Sequence, residues 1–328
     1  MLTNAGCVII GRNEGERLDR CLESVCKAFT EVVYVDSGST DQSVQKAQAT
    51  GAQVVNLDMT KPFTAARARN AGFAQLYQTH PELEYVQFID GDCELVPGWP
   101  EAAVGNLDTN PSAAVVCGRR RERYPDASAY NRLCDIEWNT PIGEATACGG
   151  DALMRIEALN QINAYNASLI AGEEPEMCHR LRMQGWKIYR LDEEMTLHDA
   201  AISRFGQWWK RAKRAGYAYA AVSWLHRDSA LGIWQKEVAR SMVWGAVLPL
   251  IMLLSLFIGL YGITLIGLLL YIYLFMKIYL RAQHLSITAI RLKYSLSMVL
   301  IKFAEAKGSL AFIKDCLLKR KSKIIEYK

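Results

Sequence analysis

The 328-residue sequence has no Cys-x-x-C pair and no repeat of fixed period. Repeats of about 20–50 residues are the signature of solenoids and propellers, so neither architecture is expected. The nine cysteines show no paired zinc-ligand spacing, and several lie in apolar runs where a thiol behaves as a small core residue. We therefore expect reduced cysteines in a cytosolic compartment. The N-terminus has neither a basic segment nor a long apolar run, which predicts no signal peptide.

Charge is distributed unevenly along a chain whose formal net charge is only +4. Residues 277–328 contain 12 Lys or Arg against 3 Asp or Glu, whereas the residues before them contain 26 against 31. An acidic body rarely binds nucleic acid, so we expect no nucleic-acid partner. A basic tail that follows an apolar segment instead indicates contact with membrane lipids.

A stretch of 35 residues without a charged side chain runs from Met242 to Met276. One straight helix of that length would extend about 52 Å, too long for a hydrocarbon core of about 30 Å. A turn at residues 259–262 would give two spans of about 17 residues each. We therefore predict a transmembrane helical hairpin over 241–276 and a basic amphipathic cytoplasmic tail over 277–328. The alternative is a buried pair of apolar helices in a soluble domain.

Residues 201–240 combine aromatic and basic side chains just before this stretch. Trp208 and Trp209 are followed directly by four residues of which three are Lys or Arg, and further aromatics follow. Such a composition favours amphipathic helices in the headgroup layer of a membrane. A docked helix whose tryptophans fill a protein core remains the alternative.

Apolar runs alternate with helical patterns over residues 1–200, and several of the runs end in polar clusters. This alternation predicts an α/β domain with a mostly parallel sheet covered on both faces. Open sheets of this kind bind ligands at the carboxyl ends of their strands, where the polar clusters fall. The predicted strands are 5–10, 32–35, 53–57, 85–89, 113–118, 148–154 and 186–191; the predicted helices are 14–28, 43–50, 64–78, 126–138 and 174–184; a basic loop is predicted at 119–123.

Two of the polar clusters follow predicted strands directly. A carboxylate at Asp36 could accept a hydrogen bond from a nucleobase, although the local sequence alone favours a plain turn that caps the next helix. In Asp90-Gly91-Asp92, two carboxylates at a strand end could share one divalent cation, which could also hold a diphosphate. Such an Asp-x-Asp motif is common by chance, and its position after a strand strengthens it.

Two further candidates are acidic or basic side chains later in the chain. Glu173 and Glu174 begin a predicted helix, where they are either an ordinary acidic first turn or a general base whose pKa an enclosed site would raise. His198 is a lone histidine, which is more often a core or surface residue than a metal ligand.

The order of these motifs resembles family 2 of the glycosyltransferases, inverting enzymes with the A-type fold, a mostly parallel Rossmann-like sheet. The resemblance covers about residues 5–200 and is specific for the family rather than for the substrate. The motifs that carry it are Val8–Glu14, Val35–Asp41, Ala68–Gly72, Asp90–Asp92, Gly149–Ala152 and Gly172–Glu176 with Arg180 and Leu181.

The resemblance implies a role for each matching residue. Asp36 would contact the base of a nucleotide-diphosphate sugar, Arg69 the base and diphosphate, and Asp90 the ribose. Asp92 would bind Mg²⁺ or Mn²⁺ together with the donor diphosphate, and His198 would complete that metal site. The other residues expected around the donor are Ile10, Asn13, Glu14 and Gly91.

The resemblance also implies a single displacement with inversion. Glu174 matches the family's catalytic base and Glu173 the acid before it, although the usual pair is Glu-Asp; Ser37 replaces the usual second Asp of the nucleotide turn. The metal would stabilise the leaving diphosphate. Processive members carry a Gln-x-x-Arg-Trp signature, which residues 207–211 do not match. We therefore predict transfer of one sugar.

The predicted function is a membrane-anchored glycosyltransferase of cell-envelope polysaccharide or glycolipid synthesis. Its catalytic domain, 1–200, would work at the cytoplasmic face of an inner or plasma membrane on a hydroxyl or phosphate of a lipid-linked or membrane-bound acceptor. Three alternatives remain open: the same chemistry on a soluble acceptor with the helices only as an anchor, a non-catalytic nucleotide-sugar-binding membrane protein, and a nucleotidyltransferase.

Overall fold

The computed structural model describes residues 1–320. The chain divides into two compact units, of which the first ends at Ala201 and the second begins at Ile202. This division lies one residue from the boundary drawn from the sequence. Residues 321–328, the end of the predicted basic tail, lie outside the described residues.

The first unit is built on one nine-stranded sheet with helices between the strands. The α/β class is confirmed. The elements in chain order are β1 (Leu2–Gly11), α1 (Glu16–Ala28), β2 (Phe29–Asp36), α2 (Ser43–Ala49), β3 (Gln53–Asn56), α3 (Ala65–Thr79), β4 (Tyr85–Asp90), β5 (Cys93–Leu95), α4 (Trp99–Thr109), β6 (Ala113–Glu122), α5 (Ala129–Glu137), β7 (Gly143–Ala145), β8 (Ala152–Arg155), α6 (Ile156–Gln161), α7 (Glu173–Met183) and β9 (Lys187–His198).

The strand order is β3-β2-β1-β4-β8-β6-β9-β5, with β7 paired to β9. The four strands from β3 to β4 are mutually parallel, as expected from the alternating pattern. Beyond β4 the sheet is mixed, because β8 runs antiparallel to both β4 and β6. The register pairs Gly11 with Asp36 and Ile10 with Asp90, so the carboxyl ends of β2, β1 and β4 form one edge.

The predicted basic loop at 119–123 is wrong, because residues 119–122 continue β6 and pair with the last residues of β9. Charged side chains are tolerated in this strand because they pair with side chains of opposite charge in α5 and β9. Arg119 lies 2.9 Å from Asp135, and Arg121 lies 2.6 Å from Glu194. A local sequence pattern does not contain these partners, which lie far along the chain.

The second unit is helical. Its helices are α8 (Phe205–Leu225), α9 (Gln235–Met242), α10 (Leu248–Phe257), α11 (Tyr261–Arg281) and α12 (Thr288–Leu317), and a π-helical turn, Val243–Val247, joins α9 to α10. Two segments, Gln235–Phe257 and Tyr261–Arg281, are long and apolar enough to cross a membrane. They contain 23 and 21 residues, more than the 17 expected, because both helices continue beyond the uncharged stretch. The break between them falls at Gly259, whose φ of 74° suits glycine.

Residues 288–317 of the predicted tail form one helix that packs closely against α8. A Cβ on Gly216 would lie 2.0 Å from the Glu305 carbonyl oxygen, and one on Gly308 would lie 2.0 Å from that of Lys213. The Ser309 hydroxyl donates to the Gly216 carbonyl at 2.9 Å. The aromatic run is divided: Trp208 is buried within the chain, whereas Trp224 is exposed. The burial of Trp208 agrees with the docked-helix interpretation for that residue, and the headgroup-layer interpretation stays a prediction.

Gly72 allows α3 to lie against the sheet, and this contact places Arg69 at the strand ends. An added Cβ would lie 2.4 Å from Val8 Cγ1 and 2.8 Å from Val35 Cγ2. We expect Gly72→Ala to destabilise the protein, because overpacking costs about 1–3 kcal/mol. The matched control is Gly105→Ala in α4, where a Cβ meets nothing within 4 Å and helix propensity gains up to about 1 kcal/mol.

Thermal denaturation of the full-length protein in detergent measures both substitutions. The expected result is a lower melting temperature for Gly72→Ala and an unchanged or higher one for Gly105→Ala. Equal shifts for the two variants would contradict the packing derived for α3.

Candidate active site

The ends of β1, β2 and β4 bring most of the predicted donor-binding residues together. Ile10 pairs with Asp90 across the sheet, and its carbonyl accepts the Gly91 N–H at 2.8 Å. A Cβ on Gly91 would lie 3.2 Å from that carbonyl oxygen, so the turn after β4 passes close to β1. The residues at the carboxyl ends of the three neighbouring strands β1, β2 and β4 therefore form one edge of the sheet, called the polar edge below.

Asp36 organises the turn that follows β2. Its Oδ2 accepts the N–H groups of Gly38 and Ser39, both at 2.9 Å, and the Tyr34 hydroxyl lies 3.3 Å from its Oδ1. The structure thus contains the plain turn that the local sequence favours. The predicted contact of Asp36 with a nucleobase stays a prediction.

Asn13 ties the loop after β1 to the turn after β2. Its Oδ1 accepts the Thr40 N–H at 2.7 Å, and its own N–H donates to the Ser39 hydroxyl at 3.0 Å. Its φ of 55° is a left-handed value that asparagine tolerates. Glu14, the next residue, pairs with Arg17 at 2.8 Å. Both loops are therefore fixed at the polar edge, where the family resemblance predicts the donor nucleotide.

Arg69 connects the polar edge to the acidic helix entrance. Its Nη2 lies 2.8 Å from Asp90 Oδ1, while its Nη1 lies 3.0 Å from Glu173 Oε1 and 2.9 Å from Glu174 Oε1. The guanidinium is buried. A Cβ on Gly150 would lie 2.6 Å from Arg69 Nη2, so a larger residue there would displace side chains of this cluster. One buried cation thus holds three carboxylates from two separate elements.

The electrostatics of this cluster favour proton exchange at Glu174. Burial, then the neighbouring charge of Glu173, raises the pKa of Glu174 to about 7, although Arg69 opposes the shift. Burial lowers the pKa of Arg69, but the surrounding carboxylates, first Glu174 and then Asp90, raise it well above its usual value. The Glu174 carboxyl can therefore gain and lose a proton near neutral pH, as a general base must.

Asp92 and His198 lie together; the family resemblance implies that they form a metal site, which stays a prediction. His198 Nε2 is 3.2 Å from Asp92 Oδ2, because β5 and β9 pair with Cys93 opposite His198. Ligand atoms of these three residues lie within 4.8 Å of one another. The buried Nδ1 of His198 has no hydrogen-bond partner in the described chain, 1–320. A carboxylate oxygen beside an imidazole nitrogen is a donor set that fits Mn²⁺ or Mg²⁺.

A second cluster of possible metal ligands contains Asp90, Cys93 and Asp151. Here the guanidinium of Arg120 neutralises the carboxylates. Asp151 is fully buried, and its Oδ2 lies 2.7 Å from Arg120 Nη2 and 2.8 Å from the Thr196 hydroxyl. Its Oδ1 accepts the Asp90 N–H at 3.1 Å. Sequence reasoning assigned no role to this pair. Asp151 lies in a motif that the resemblance includes, whereas Arg120 was placed in a loop.

Comparison with known proteins finds matches in the first unit. Residues 7–162, slightly less than half of the chain, match the model of Glycosyl transferase family 2. A TPR repeat-containing protein of Synechococcus elongatus is 31% identical over 136 residues, which are 41% of this chain and 31% of that protein. An uncharacterized glycosyltransferase of Rickettsia bellii is 36% identical over 87 residues, 26% of this chain and 27% of that protein. The matches span less than a third of either relative.

Among solved structures, the mannosyltransferase PcManGT from Pyrobaculum calidifontis, in complex with GDP-Man and Mn²⁺, superposes with a TM-score of 0.60. The alignment covers 94% of this chain and 87% of that chain at 15% sequence identity. The architecture is thus that of the A-type glycosyltransferases, as predicted.

The raised pKa of Glu174 makes stability depend on pH. Its ordinary value is 4.5, so the folded protein keeps a proton that the unfolded chain loses between pH 4.5 and about 7. Ionisation in the folded state is therefore unfavourable, and the contribution of Glu174 to stability falls as the pH rises through this range. Glu174→Gln removes the effect, so we expect the variant to gain stability over the wild type at pH 8 but not at pH 5.

Melting temperatures of both proteins across pH 5–8 test this expectation. The matched control is Glu101→Gln, which changes an exposed carboxylate in the first turn of α4. A difference between Glu174→Gln and wild type that does not change with pH would contradict the raised pKa.

Proposed function

We propose that this protein transfers one sugar from a nucleotide-diphosphate sugar, with inversion, to a hydroxyl or phosphate of a lipid-linked or membrane-bound acceptor. The observation that carries the proposal is the convergence on Arg69. That one guanidinium contacts Asp90 at the strand-end edge and both Glu173 and Glu174 at the helix entrance. A donor site and a proton acceptor are thereby held by the same buried group.

Donor binding is supported by the polar edge above β1, β2 and β4. Asp36 and Asp90 would contact the nucleoside, and Asn13 and Glu14 hold the neighbouring loop. The other donor residues are Ile10, Gly91 and Arg69. Asp92 and His198 would hold Mn²⁺ or Mg²⁺; such an ion, when bound, neutralises charge on a leaving diphosphate. The solved mannosyltransferase of similar fold contains GDP-Man and Mn²⁺, which supports a donor of this class.

Glu174 is the general base in this proposal. It accepts the proton of the acceptor hydroxyl while the oxygen bonds to the anomeric carbon and the bond to the diphosphate breaks. Its side chain is 15% exposed, against 5% for Glu173, so Glu174 is the more accessible carboxylate. A carboxyl with a pKa of about 7 is ionised above neutral pH, which matches the needs of a base.

Asp92→Ala should remove Mn²⁺-dependent donor binding. A thermal-shift panel of nucleotide-sugars with Mn²⁺ identifies the donor first, since a ligand at 100 times its Kd stabilises a protein by roughly 2.7 kcal/mol. The variant should then show no Mn²⁺-dependent shift with that donor, while the control Asp192→Ala, an exposed carboxylate of β9, should keep it. Unchanged Mn²⁺ dependence in Asp92→Ala would rule out the metal role.

Glu174→Gln should bind the donor with normal affinity but transfer its sugar about 10²–10⁴ times more slowly, because general-base catalysis contributes that factor. The wild-type rate should rise with pH through about 7 as the carboxyl ionises. Glu173→Gln is the comparison, measured in the same single-turnover assay. A small loss in Glu174→Gln together with a large one in Glu173→Gln would move the role to Glu173.

Membrane anchoring is supported by the second unit. The segments Gln235–Phe257 and Tyr261–Arg281 are about 34 and 31 Å long at 1.5 Å per residue, close to a hydrocarbon core of about 30 Å. Their large apolar side chains, such as Leu250 and Leu269, are mostly exposed. A spanning hairpin would leave the first unit at the cytoplasmic face of an inner or plasma membrane, where nucleotide-sugars are found.

Leu269→Arg should reduce membrane insertion, because an arginine near the centre of a span costs about 2.5–3.5 kcal/mol. The control is Leu310→Arg on α12, since Leu310 is also exposed but lies outside both segments. The fraction of protein that stays in the membrane pellet after alkaline carbonate extraction should fall only for Leu269→Arg.

A wild-type protein that is soluble without detergent would contradict the hairpin.

The acceptor is tested separately, by comparing turnover on a polyprenyl phosphate in vesicles with turnover on a short-chain analogue. Equal rates would favour a soluble acceptor, and donor binding without any transfer would favour a non-catalytic protein.

A further inference from the structure

Trp138 contacts the candidate metal ligand His198 directly. The residue follows the last turn of α5 and is half-buried. Its ring stacks on the imidazole of His198, with ring centroids 4.6 Å apart and an angle of 24° between the planes. Neither the motifs nor the family resemblance gave this tryptophan a role.

The Trp138 ring is itself held by a fixed part of the sheet. The guanidinium carbon of Arg120 lies 5.6 Å from the ring centroid, within range of a cation–π interaction. Arg120 is anchored by the fully buried Asp151, whose Oδ2 lies 2.7 Å from its Nη2. Asp151 also accepts the Asp90 N–H, so the support for Trp138 is continuous with the donor side of the site.

The hydrogen bonding of His198 gives this stack its importance. A metal-binding histidine usually donates its second ring N–H to a carboxylate, carbonyl or water, and that bond fixes the orientation of the ring. Here Nε2 faces Asp92, while the buried Nδ1 finds no hydrogen-bond partner among residues 1–320. Among the described residues the ring thus lacks the usual hydrogen-bonded support but has the aromatic stack.

We propose that Trp138 is a positioning residue that orients His198 toward a divalent cation by ring stacking. The inference rests on the proposed metal role of Asp92 and His198. Loss of the stack leaves both ligands in place but lets the imidazole rotate, so it weakens metal binding without removing a ligand. Loss of hydrogen-bonded support typically costs about 10–100-fold in metal affinity, and we expect an effect near the lower value.

The test measures Mn²⁺ affinity of the full-length protein from the electron paramagnetic resonance signal of free Mn²⁺. Trp138→Leu should weaken binding about tenfold, while Trp138→Phe, which keeps a ring, should restore most of it. Trp186→Leu is the matched control, since Trp186 is half-buried in the same unit and hydrogen-bonds to Gln161 instead. It should bind Mn²⁺ as the wild type does.

Wild-type affinity in Trp138→Leu, with weakened binding in His198→Ala, would overturn the inference. Unchanged affinity in His198→Ala would instead overturn the metal site on which it rests, so the two failures are distinguishable.

A second measurement needs no variant that disturbs the fold. The eight tryptophans are replaced by 5-fluorotryptophan, and ¹⁹F spectra are recorded at substoichiometric Mn²⁺. The signal absent from Trp138→Phe should broaden most, because this ring stacks on a metal ligand. A Trp138 signal that stays sharp while another broadens would place the metal elsewhere and overturn the Asp92–His198 site on which the inference rests.

Discussion

The structure of the site depends on the burial of one positive charge, that of Arg69. A buried cation is tolerated only when it is paired and hydrogen-bonded, and loss of one partner of such a pair costs about 3–5 kcal/mol. Arg69 meets this requirement with Asp90 from the sheet edge and with Glu173 and Glu174 from the start of α7. The need to pair it therefore fixes where α3, β4 and α7 converge.

The same requirement explains the electrostatic state of Glu174. Two adjacent carboxylates, one buried and one partly buried, share one guanidinium nitrogen, so a single positive charge cannot stabilise both as anions. The more exposed of them, Glu174, keeps its proton up to about pH 7. A second buried pair, Arg120 with Asp151, lies beside the first and stabilises the turn at Asp90 without adding to this competition. The convergence of these elements and the raised pKa of Glu174 thus have one electrostatic cause.

Much of this arrangement follows from the sequence, because it is local or ordered along the chain. The strands that precede Asp36 and Asp90 are apolar runs, and the helix break at Gly259 is a glycine in an uncharged stretch. What could not be predicted depends on partners far apart in sequence. Arg120 lies in a strand that pairs with β9 and is neutralised by Asp151, and the stack of Trp138 on His198 joins residues 60 positions apart. Periodicity carries no information about such pairs.

The most direct test of the account is a ¹³C NMR titration of side-chain carboxyl-labelled glutamate, with Glu174 assigned by its loss in Glu174→Gln. The apparent pKa of Glu174 should be about 7 in the wild type and should rise further in Arg69→Met, because Arg69 stabilises the ionised form. Titration near the ordinary value of 4.5, or a pKa that Arg69→Met leaves unchanged, would contradict the central role of the buried guanidinium.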